Sequence, residues 1–359
     1  MDLFSGIREI ASMSAAKEYA QFISFAPAVF QAARAARESG ILDRIEASGE
    51  DGCTLDDLYR SVSMSSYAVR LLVEAAEVAG LVENREGCYR LTKTGYCILK
   101  DPMTKVNMNF MHDVCYRGMF HTTYALTSGK PAGLTVFGTQ WKTIYEALKS
   151  LPEKVRKSWF AFDHFYSDNA FPEALSLLFT KQPKPAAILD VGGNTGKWAI
   201  ACAAHDSEVK VTILDHQGQL DDASAAIRSA GYTDRISCMA CDFLDPGCTF
   251  PAGHDVIWMS QFLDCFHPEG IVAILKRARD VMDESSRLYI LETCVDRQKY
   301  SASTFSLVYT SLYFAVLANG NSRMYTAEEM IGFIGKAGLK VVEDTDGIGL
   351  AHTLLTCSL

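Results

Sequence analysis

A glycine-rich turn that follows an apolar strand constrains the second half of this chain more than any other feature. Residues 188–197 read ILDVGGNTGK. Around this turn, apolar stretches alternate with helical patterns, at residues 187–191, 210–214, 236–241, 256–259, 287–292, 339–343 and 352–357. The alternation is typical of a parallel, doubly wound α/β sheet. Small residues at the carboxyl end of the first strand let a ligand approach the backbone, so we expect a ligand site there.

Three acidic residues indicate which nucleotide-like ligand this site takes. Asp190 stands inside the turn, where its carboxylate would repel the pyrophosphate that a G-x-G-x-x-G turn binds. Asp215 ends the second strand and can accept both hydroxyls of a ribose. Asp242 and Phe243 follow the third strand and offer an acid and an aromatic ring to an adenine. A ligand with adenine, ribose, a cationic amino acid tail and no phosphate is S-adenosylmethionine, which the sequence therefore predicts as the cofactor.

The first half of the chain has the pattern of helices followed by a hairpin. Helical patterns at residues 29–44, 55–59 and 67–79, with Pro27 expected to end the preceding helix, and two short strands at 81–83 and 88–91 predict a winged helix. This fold raises the hypothesis of a DNA-binding regulator. The third helix, however, is apolar apart from Arg70 and two glutamates, whereas a DNA-reading helix needs several basic or amide side chains. We therefore expect this helix to be buried in packing or in a dimer contact.

Composition limits the partners and the compartment. The length of 359 residues suggests about two domains, and a hydrophobic fraction of 48% is ordinary for a globular protein. The formal net charge of −9 argues against nucleic acid as a partner. We find no uninterrupted apolar run of about 18 residues and no signal-peptide core in the first 25 residues, which predicts a cytoplasmic protein with no membrane partner. Eleven cysteines, in contexts such as Cys97, Cys202 and Cys294, favour reduced core thiols, and the pair Cys238 and Cys241 lies in a strand expected to be buried.

The motifs together resemble a known family. Asp190 with residues 192–196, followed by residues 213–215, 241–243 and 336–339, resembles the class I methyltransferases, and residues 35–43, 79–82 and 89–95 resemble the winged-helix dimerisation domain of caffeate-type and bacterial small-molecule O-methyltransferases. The resemblance spans nearly the whole chain. It implies a homodimer that transfers a methyl group from S-adenosylmethionine to a hydroxyl of a small aromatic or polyketide-like molecule.

The resemblance also implies a division into three parts. These are a winged-helix dimerisation domain at residues 1–104, a helical linker with substrate-pocket helices at 105–180, and a Rossmann-like α/β methyltransferase domain at 181–359. The cofactor contacts that it implies are Asp190, Gly192, Gly193 and Gly196 for the methionine moiety, Asp215 for the ribose, and Asp242 and Phe243 for the adenine. Three further cofactor-side positions depart from the family pattern: Asn194 replaces a glycine, His216 changes the ribose rim, and Ser260 replaces a lysine.

The catalytic segment departs from the family pattern too. Plant-like relatives use a histidine as the base, and Asp264 occupies that position in the sequence FLDCFHPE at residues 262–269. In one interpretation Asp264 is the base, with a pKa that burial raises from its ordinary value near 3.9. In a second, His267 reaches the site or pairs with Asp264. In a third, His267 caps the helix that begins at Pro268, and Asp264 only orients substrate or cofactor. Glu292 matches the family acid that orients the base.

Substrate contacts are less well defined by the sequence. Met324 stands where the family has a second acid, and His164 and Phe162 belong to the helical layer that walls the family's acceptor pocket, although His164 could equally be a core histidine. No pair of carboxylates or histidines recurs at metal-ligand spacing, so we expect no metal. These departures leave open an S-adenosylmethionine-binding protein with non-methylating chemistry as an alternative, beside the DNA-binding regulator.

Overall fold

The computed structural model describes residues 12–359 and divides them into two compact units, residues 12–112 and 113–359. The first unit is built from six helices and a hairpin: α1 (Met13–Glu38), α2 (Ile41–Ala47), α3 (Leu55–Ser61), α4 (Ser66–Val78), β1 (Val82–Arg85), β2 (Cys88–Leu91), α5 (Lys93–Lys100) and α6 (Pro102–Phe110). Its core contains Ile41, Leu58, Val73 and Tyr89, all buried. The helix–helix–helix–hairpin succession of the winged helix is confirmed.

Local sequence explains where these elements begin and end. Thr54 opens α3 with a capping box to Asp57, in which each side chain accepts a backbone N–H at the helix start. The hairpin closes through Glu86 and Gly87, both with positive φ, which is the backbone twist that two-residue hairpin loops favour. The prediction that Pro27 ends a helix is wrong, because Pro27 lies inside the 26-residue α1. Proline removes one backbone donor, and the turns on either side continue the helix.

Helix α4 is buried on one side only. Val69, Val73 and Ala76 form the buried stripe, at helical spacing. On the other side Tyr67 and Val78 are 77% and 92% exposed. The expectation of burial by packing is therefore confirmed for one side of this third helix, and a dimer contact stays a prediction for the other side. Apolar composition alone could not separate the two sides, because both carry apolar residues.

The second unit begins with helical segments that precede the sheet. They are α7 (Thr122–Ser128), α8 (Ile144–Ala147) and α9 (Glu153–Phe179), joined by short 3₁₀ and π turns. Ala170, Ala174 and Leu178 near the end of α9 are fully buried in the core on one face of the sheet. The 27-residue α9 is thus anchored by its carboxyl-terminal part.

A seven-stranded sheet with helices on both faces completes the second unit. Its elements in chain order are β3 (Ala187–Val191), α10 (Lys197–His205), β4 (Lys210–Asp215), α11 (Gln217–Ala230), β5 (Ile236–Ala240), β6 (Val256–Ser260), α12 (Pro268–Asp280), β7 (Arg287–Glu292), α13 (Ser301–Tyr313), α14 (Ala327–Lys336), β8 (Lys340–Ile348) and β9 (His352–Ser358). The strand order is β5-β4-β3-β6-β7-β9-β8. Alternate residues of β3 face opposite cores: Leu189 packs with α12 and α14, and Ile188 packs with α9, α10 and α11. The predicted α/β fold class is confirmed.

The sheet is mixed rather than wholly parallel. The first five strands pair in parallel, but β9 runs antiparallel to both β7 and β8. The strand order reverses direction at β3, which has β4 on one side and β6 on the other. Ligands bind at the carboxyl ends of strands at such a switch point, so the fold places the glycine-rich turn where a ligand site is expected.

The cysteines differ in part from the expectation of reduced core thiols. Cys202 and Cys294 are buried free thiols, as predicted. Cys97 is exposed, and Cys238 is exposed because it lies in β5, an edge strand whose residues after Ile236 face solvent. Cys241 and Cys248 form a disulfide. Strand burial was therefore overestimated at the sheet edge, which pairs with a neighbour on one side only.

One helical segment, Ser301–Ala318, is long and apolar enough to cross a membrane by length and composition alone. We did not expect a candidate span from the sequence, because serine, threonine and tyrosine interrupt the apolar residues of this segment. These residues add no charge, so the segment still meets the criterion. Val316, Leu317 and Ala318 at its end are fully buried in the protein. A core helix of an enzyme domain meets the same length and composition criterion.

Candidate active site

The turn after β3 can be formed only with small residues. Gly192 has φ +77°, and a Cβ there would lie 2.3 Å from the Phe262 ring. At Gly193 a Cβ would lie 2.5 Å from Oδ2 of Asp190. Asn194 has φ +49°, a left-handed conformation that asparagine adopts more readily than most residues. The replacement of a glycine by Asn194 is thus compatible with the turn.

A cavity opens beside this turn. It is lined from α9 by Asp163 and His164, from the turn by Asp190 and Asn194, and from the end of β6 by Ser260 and Gln261. These residues come from three separate parts of the chain. The topology therefore builds a polar cavity at the carboxyl edge of the sheet, at the switch point.

The polar atoms of this cavity fit a cationic ligand. Asp190 is only 3% exposed, and its Oδ2 has no hydrogen-bond partner among residues 12–359. Burial, and secondly the charge of Asp215, raise the pKa of Asp190 to about 8. The Ser260 hydroxyl is also buried without a partner in the described chain. Unsatisfied buried polar groups are costly, so a ligand that donates hydrogen bonds or carries positive charge would complete the site. The ammonium group of S-adenosylmethionine meets that requirement.

The next strand ends hold the remaining cofactor-side residues of the prediction. Asp215 accepts backbone hydrogen bonds from Asn194 at 2.8 Å and from His216 at 2.6 Å, which fix the orientation of its carboxylate. Burial still raises the pKa of Asp215. His216 Nε2 lies 4.0 Å from Asp242 Oδ1 at a more exposed rim. Phe243 is buried and packs edge-on against Phe262, with ring centroids 4.7 Å apart.

Asp264 lies in a 3₁₀ turn after β6 and is only 7% exposed. Burial raises its pKa to about 6, against the effect of hydrogen bonds from Cys265, whose thiol donates to Oδ1 at 3.4 Å. Glu292, at the end of β7, accepts the backbone N–H groups of Phe262 and Leu263 at 2.9 and 2.8 Å. Burial, and secondly the charge of Asp264, raise the pKa of Glu292. Glu292 thus fixes the turn that carries Asp264 through its backbone.

His267 is the N-cap of α12. Its Nδ1 accepts the backbone N–H of Gly270 at 3.3 Å and lies 2.9 Å from the carboxylate of Glu269. Its side chain is 39% exposed. The helix-capping role that the third interpretation gave to His267 is therefore confirmed.

The predicted substrate residues lie in different surroundings. His164 Nε2 is 3.4 Å from the Thr195 hydroxyl of the glycine-rich turn, so it lines the same cavity as Asp190. Burial, and secondly Lys197, lower the pKa of His164 to about 4, which leaves it neutral. The Phe162 ring packs against Tyr166. Met324 is buried, and its sulfur accepts a weak hydrogen bond from Thr293 at 3.7 Å.

Sequence reasoning missed several residues of the cavity, among them Asp163 and Gln261. Asp163 Oδ2 accepts a hydrogen bond from the Asn194 side chain at 3.2 Å, and burial, together with the charge of Asp264, raises its pKa to about 7. The signal was a single acid within the aromatic run of α9. Gln261 has φ +47°, and its side chain pairs with His352 at 3.1 Å. No local sequence pattern marks that conformation. Within residues 12–359, no group of three potential ligands could hold a metal ion.

The fold and the glycine-rich cavity define a class I methyltransferase. Two family models match the chain, a Dimerisation2-like domain at residues 17–89 and an O-methyltransferase domain at residues 177–340. The chain belongs to the S-adenosylmethionine-dependent O-methyltransferases that carry an amino-terminal dimerisation domain. The enzyme class and the cofactor predicted from the sequence are confirmed.

Similar proteins span almost the whole chain at low identity. L-tyrosine C(3)-methyltransferase of Streptomyces lavendulae is 24% identical over 88% of this chain and 85% of its own length. The 3-hydroxy-5-methyl-1-naphthoate 3-O-methyltransferase of Streptomyces sahachiroi is 23% identical over 87% and 86%. The structure of mitomycin 7-O-methyltransferase superposes with a TM-score of 0.73 at 18% identity, over 98% of this chain and 99% of that one. An O-methyltransferase from neocarzinostatin biosynthesis, with a TM-score of 0.66 and 19% identity over 92% and 95%, was solved with S-adenosylmethionine bound.

Proposed function

We propose that this enzyme methylates a hydroxyl of a small aromatic or polyketide-like molecule, and that Asp264 is the base that accepts the hydroxyl proton. The observation that carries the assignment is the buried carboxylate of Asp264 in the turn after β6, with a pKa raised to about 6. A carboxylate at its ordinary pKa is a weak base toward a phenol. Burial raises the pKa of Asp264 toward that of a phenol, and the smaller difference between the two pKa values supports Asp264 as the base.

Methyl transfer is an in-line displacement in which the protein mainly aligns the reactants. When bound, S-adenosylmethionine supplies a methyl group activated by a sulfonium. The tasks of this chain are to orient the acceptor hydroxyl, to exclude water and to take up the proton at Asp264. Glu292 holds the Asp264 turn by its two backbone hydrogen bonds, so we assign it a positioning role.

Asp264 is better supported as the base than His267. The His267 ring nitrogen Nδ1 is engaged at the start of α12, and the contacts of the ring are with Gly270 and Glu269. A histidine that turned toward the cavity would leave that helix start uncapped. His267 therefore remains the second candidate, with a structural role as its observed one.

The cofactor assignments follow the order of the strand ends. We propose the methionine moiety at the turn and at the end of β6, the ribose at the end of β4, and the adenine at the end of β5. The residues are Asp190, Gly192, Gly193, Asn194, Gly196 and Ser260 for the first, Asp215 and His216 for the second, and Asp242 and Phe243 for the third. Asp190 Oδ2 and the Ser260 hydroxyl, which have no hydrogen-bond partner within residues 12–359, support the first assignment.

The acceptor is proposed from the helical segment at residues 105–180 and from the similar proteins. By their names, two relatives act on L-tyrosine, at carbon 3, and on a hydroxynaphthoate, and both of these molecules contain a hydroxylated aromatic ring. Aromatic side chains of α9 such as Phe162 suit such a molecule. We keep His164, Phe162 and Met324 as acceptor contacts, with His164 also facing the cofactor turn.

We also propose a cytoplasmic homodimer. The match of residues 17–89 to a dimerisation domain supports the dimer, as do the exposed apolar residues Tyr67, Leu71 and Val78 of α4. The only basic residue of α4, Arg70, is paired with Glu74 at 3.0 Å, which does not favour DNA as a partner.

The experiment that tests this function is a screen of phenols, hydroxyquinones and amines with labelled S-adenosylmethionine. We expect label transfer to hydroxyl-bearing aromatics, with a product mass gain of one methyl at oxygen. Product structures methylated only at carbon or nitrogen would contradict the proposed acceptor group. Calorimetry that detects no binding of S-adenosylhomocysteine would contradict the cofactor site itself.

A further inference from the structure

Two consecutive residues of α9 contact two consecutive residues of the glycine-rich turn. Asp163 Oδ2 accepts a hydrogen bond from the Asn194 side chain at 3.2 Å, and His164 Nε2 lies 3.4 Å from the Thr195 hydroxyl. Asn194 is the position at which this chain departs from the glycine of its family. The Asn194 side chain, which a glycine would lack, therefore has a hydrogen-bond partner, the Asp163 carboxylate that lines the cavity.

We propose that Asp163 is a cofactor-binding residue that takes the positively charged methionine end of S-adenosylmethionine, and that Asn194 holds its carboxylate in place. The inference rests on the cofactor, not on the identity of the acceptor or the base. It adds a second carboxylate to the one that the family pattern supplies at Asp190.

The position of Asp163 supports this role. Asp163 and Asp190 line the same cavity, one from α9 and the other from the end of β3. The Asn194 bond uses only Oδ2 of Asp163. Asp190 is 3% exposed and has an Oδ2 without a partner in the described chain. Two carboxylates thus present oxygens to one cavity, where they can accept hydrogen bonds from an ammonium or attract a sulfonium by charge.

The charges around the cavity favour a cationic occupant. Lys197 also lines the cavity, but its ammonium pairs with Asp168 at 2.6 Å. His164 is neutral, with a pKa lowered to about 4. Among the described residues that line the cavity, these two are the only basic side chains. Among the described residues that line the cavity, no charged cation is therefore free to pair with Asp163 or Asp190, and burial raises the pKa of both.

Calorimetric titration with S-adenosylmethionine and S-adenosylhomocysteine tests the proposal on Asp163→Asn. This substitution keeps an oxygen that can accept the Asn194 bond and removes the charge. We expect the Kd for S-adenosylmethionine to rise about tenfold, the usual effect of losing a charge-assisted hydrogen bond. An equal loss for S-adenosylhomocysteine assigns the contact to the ammonium group that both ligands share. A larger loss for S-adenosylmethionine assigns it to the sulfonium.

Glu173→Gln is the matched control, because Glu173 is an exposed carboxylate on the same helix that accepts a backbone hydrogen bond from Gly349 and does not line the cavity. We expect it to change either Kd less than twofold. Asn194→Gly restores the family residue, removes the partner of Asp163 and should raise Kd about threefold. In the double variant Asp163→Asn with Asn194→Gly the losses should not add, since both act on one interaction.

The proposal is overturned if Asp163→Asn binds both ligands as the parent does, whatever happens to turnover. In particular, an unchanged Kd with a raised KM for the acceptor would move Asp163 to the acceptor site. If Asp163→Asn does not fold, judged by its thermal unfolding transition, Asn194→Gly alone decides, and an unchanged Kd there also overturns the proposal. These readouts do not depend on which acceptor is methylated.

Discussion

The thiol of Cys265 donates a hydrogen bond to Oδ1 of the neighbouring Asp264 across 3.4 Å. Burial raises the pKa of Cys265 well above its usual range, so the thiol stays protonated and remains a donor. A bond donated to a carboxylate favours its charged form and opposes the rise in pKa that burial causes. The pair therefore keeps a buried acid available as a base near neutral pH.

Replacing Cys265 by alanine should raise the pKa of Asp264, because the donated bond is lost and the burial remains. The acid limb of the pH profile of kcat should move upward by about half a unit to one unit. In the parent, kcat should rise as pH increases through about 6, since Asp264 must be ionised to accept a proton. Cys97→Ala, at an exposed thiol, is the control and should leave the profile in place. A Cys265→Ala profile that superposes on that of the parent would refute the coupling.

Asp264→Asn should lower kcat by about a hundredfold or more, which is typical for loss of a general base. The Kd for S-adenosylhomocysteine should stay within about twofold, measured by calorimetry. His267→Ala should retain most activity and lose about 1 kcal/mol of unfolding free energy, as for other helix caps. The reverse ranking of the two variants in kcat would transfer the base to His267.

Glu292→Gln and Glu292→Ala should differ in stability. Glutamine retains an oxygen for the N–H groups of Phe262 and Leu263, whereas alanine leaves both buried donors unpaired. We expect Glu292→Ala to lose about 2 to 3 kcal/mol of unfolding free energy and Glu292→Gln clearly less. Urea unfolding measures both. Equal losses would mean that the charge of Glu292, and not its backbone bonds, supports the turn.

Gly193→Ala should abolish measurable cofactor binding, because the added Cβ would lie 2.5 Å from Asp190 Oδ2 and must displace the carboxylate. Gly218→Ala is the matched control: the same methyl group meets nothing within 4 Å and replaces a helical glycine. The control should gain up to about 1 kcal/mol of stability and bind S-adenosylhomocysteine normally. Tight binding by Gly193→Ala would show that the turn can move without loss of its ligand.

The ligand-free protein should become more stable as pH falls from 8 to 7. The pKa of Asp190 is raised from 3.8 to about 8 and that of Asp163 to about 7, so the folded state binds protons that the unfolded state releases. Folding is then favoured by up to about 1 kcal/mol over this window. Urea unfolding at both pH values measures the gain, and Asp190→Asn should reduce it. A stability that falls over the same window would contradict the raised pKa values.

The sequence predicted the elements of the fold well because their signals are local. Strand β3, its turn and α10 follow from an apolar run, small residues and a helical pattern in direct succession. The antiparallel direction of β9 could not be predicted from the alternation of strand and helix patterns along the sequence, because it depends on how the chain connects β8 to β9. The same limit applied to β5: its exposure follows from its place at the sheet edge, which only the assembled sheet defines.

The site was predictable where its residues lie at the ends of neighbouring parallel strands, and not where a helix from an earlier part of the chain contacts them. Asp190 and Asp215 lie near the ends of β3 and β4, and Asp242 follows β5, so topology alone places all three at one edge of the sheet. Asp163 joins them from α9, more than 25 residues before the turn, through a single side-chain contact with Asn194. Such a contact leaves no periodic pattern in the sequence, so it becomes visible only in three dimensions.

Helix α9 combines two tasks along its length. Asp163 and His164 face the cavity, whereas Ala170, Ala174 and Leu178 are fixed in the core beside the sheet. Substitutions in the first part can therefore change which ligand binds, because the second part keeps the helix anchored in the core. Ligand specificity can therefore change at the cavity end of α9 while its carboxyl-terminal end stays packed in the core, without a new loop and without loss of the fold.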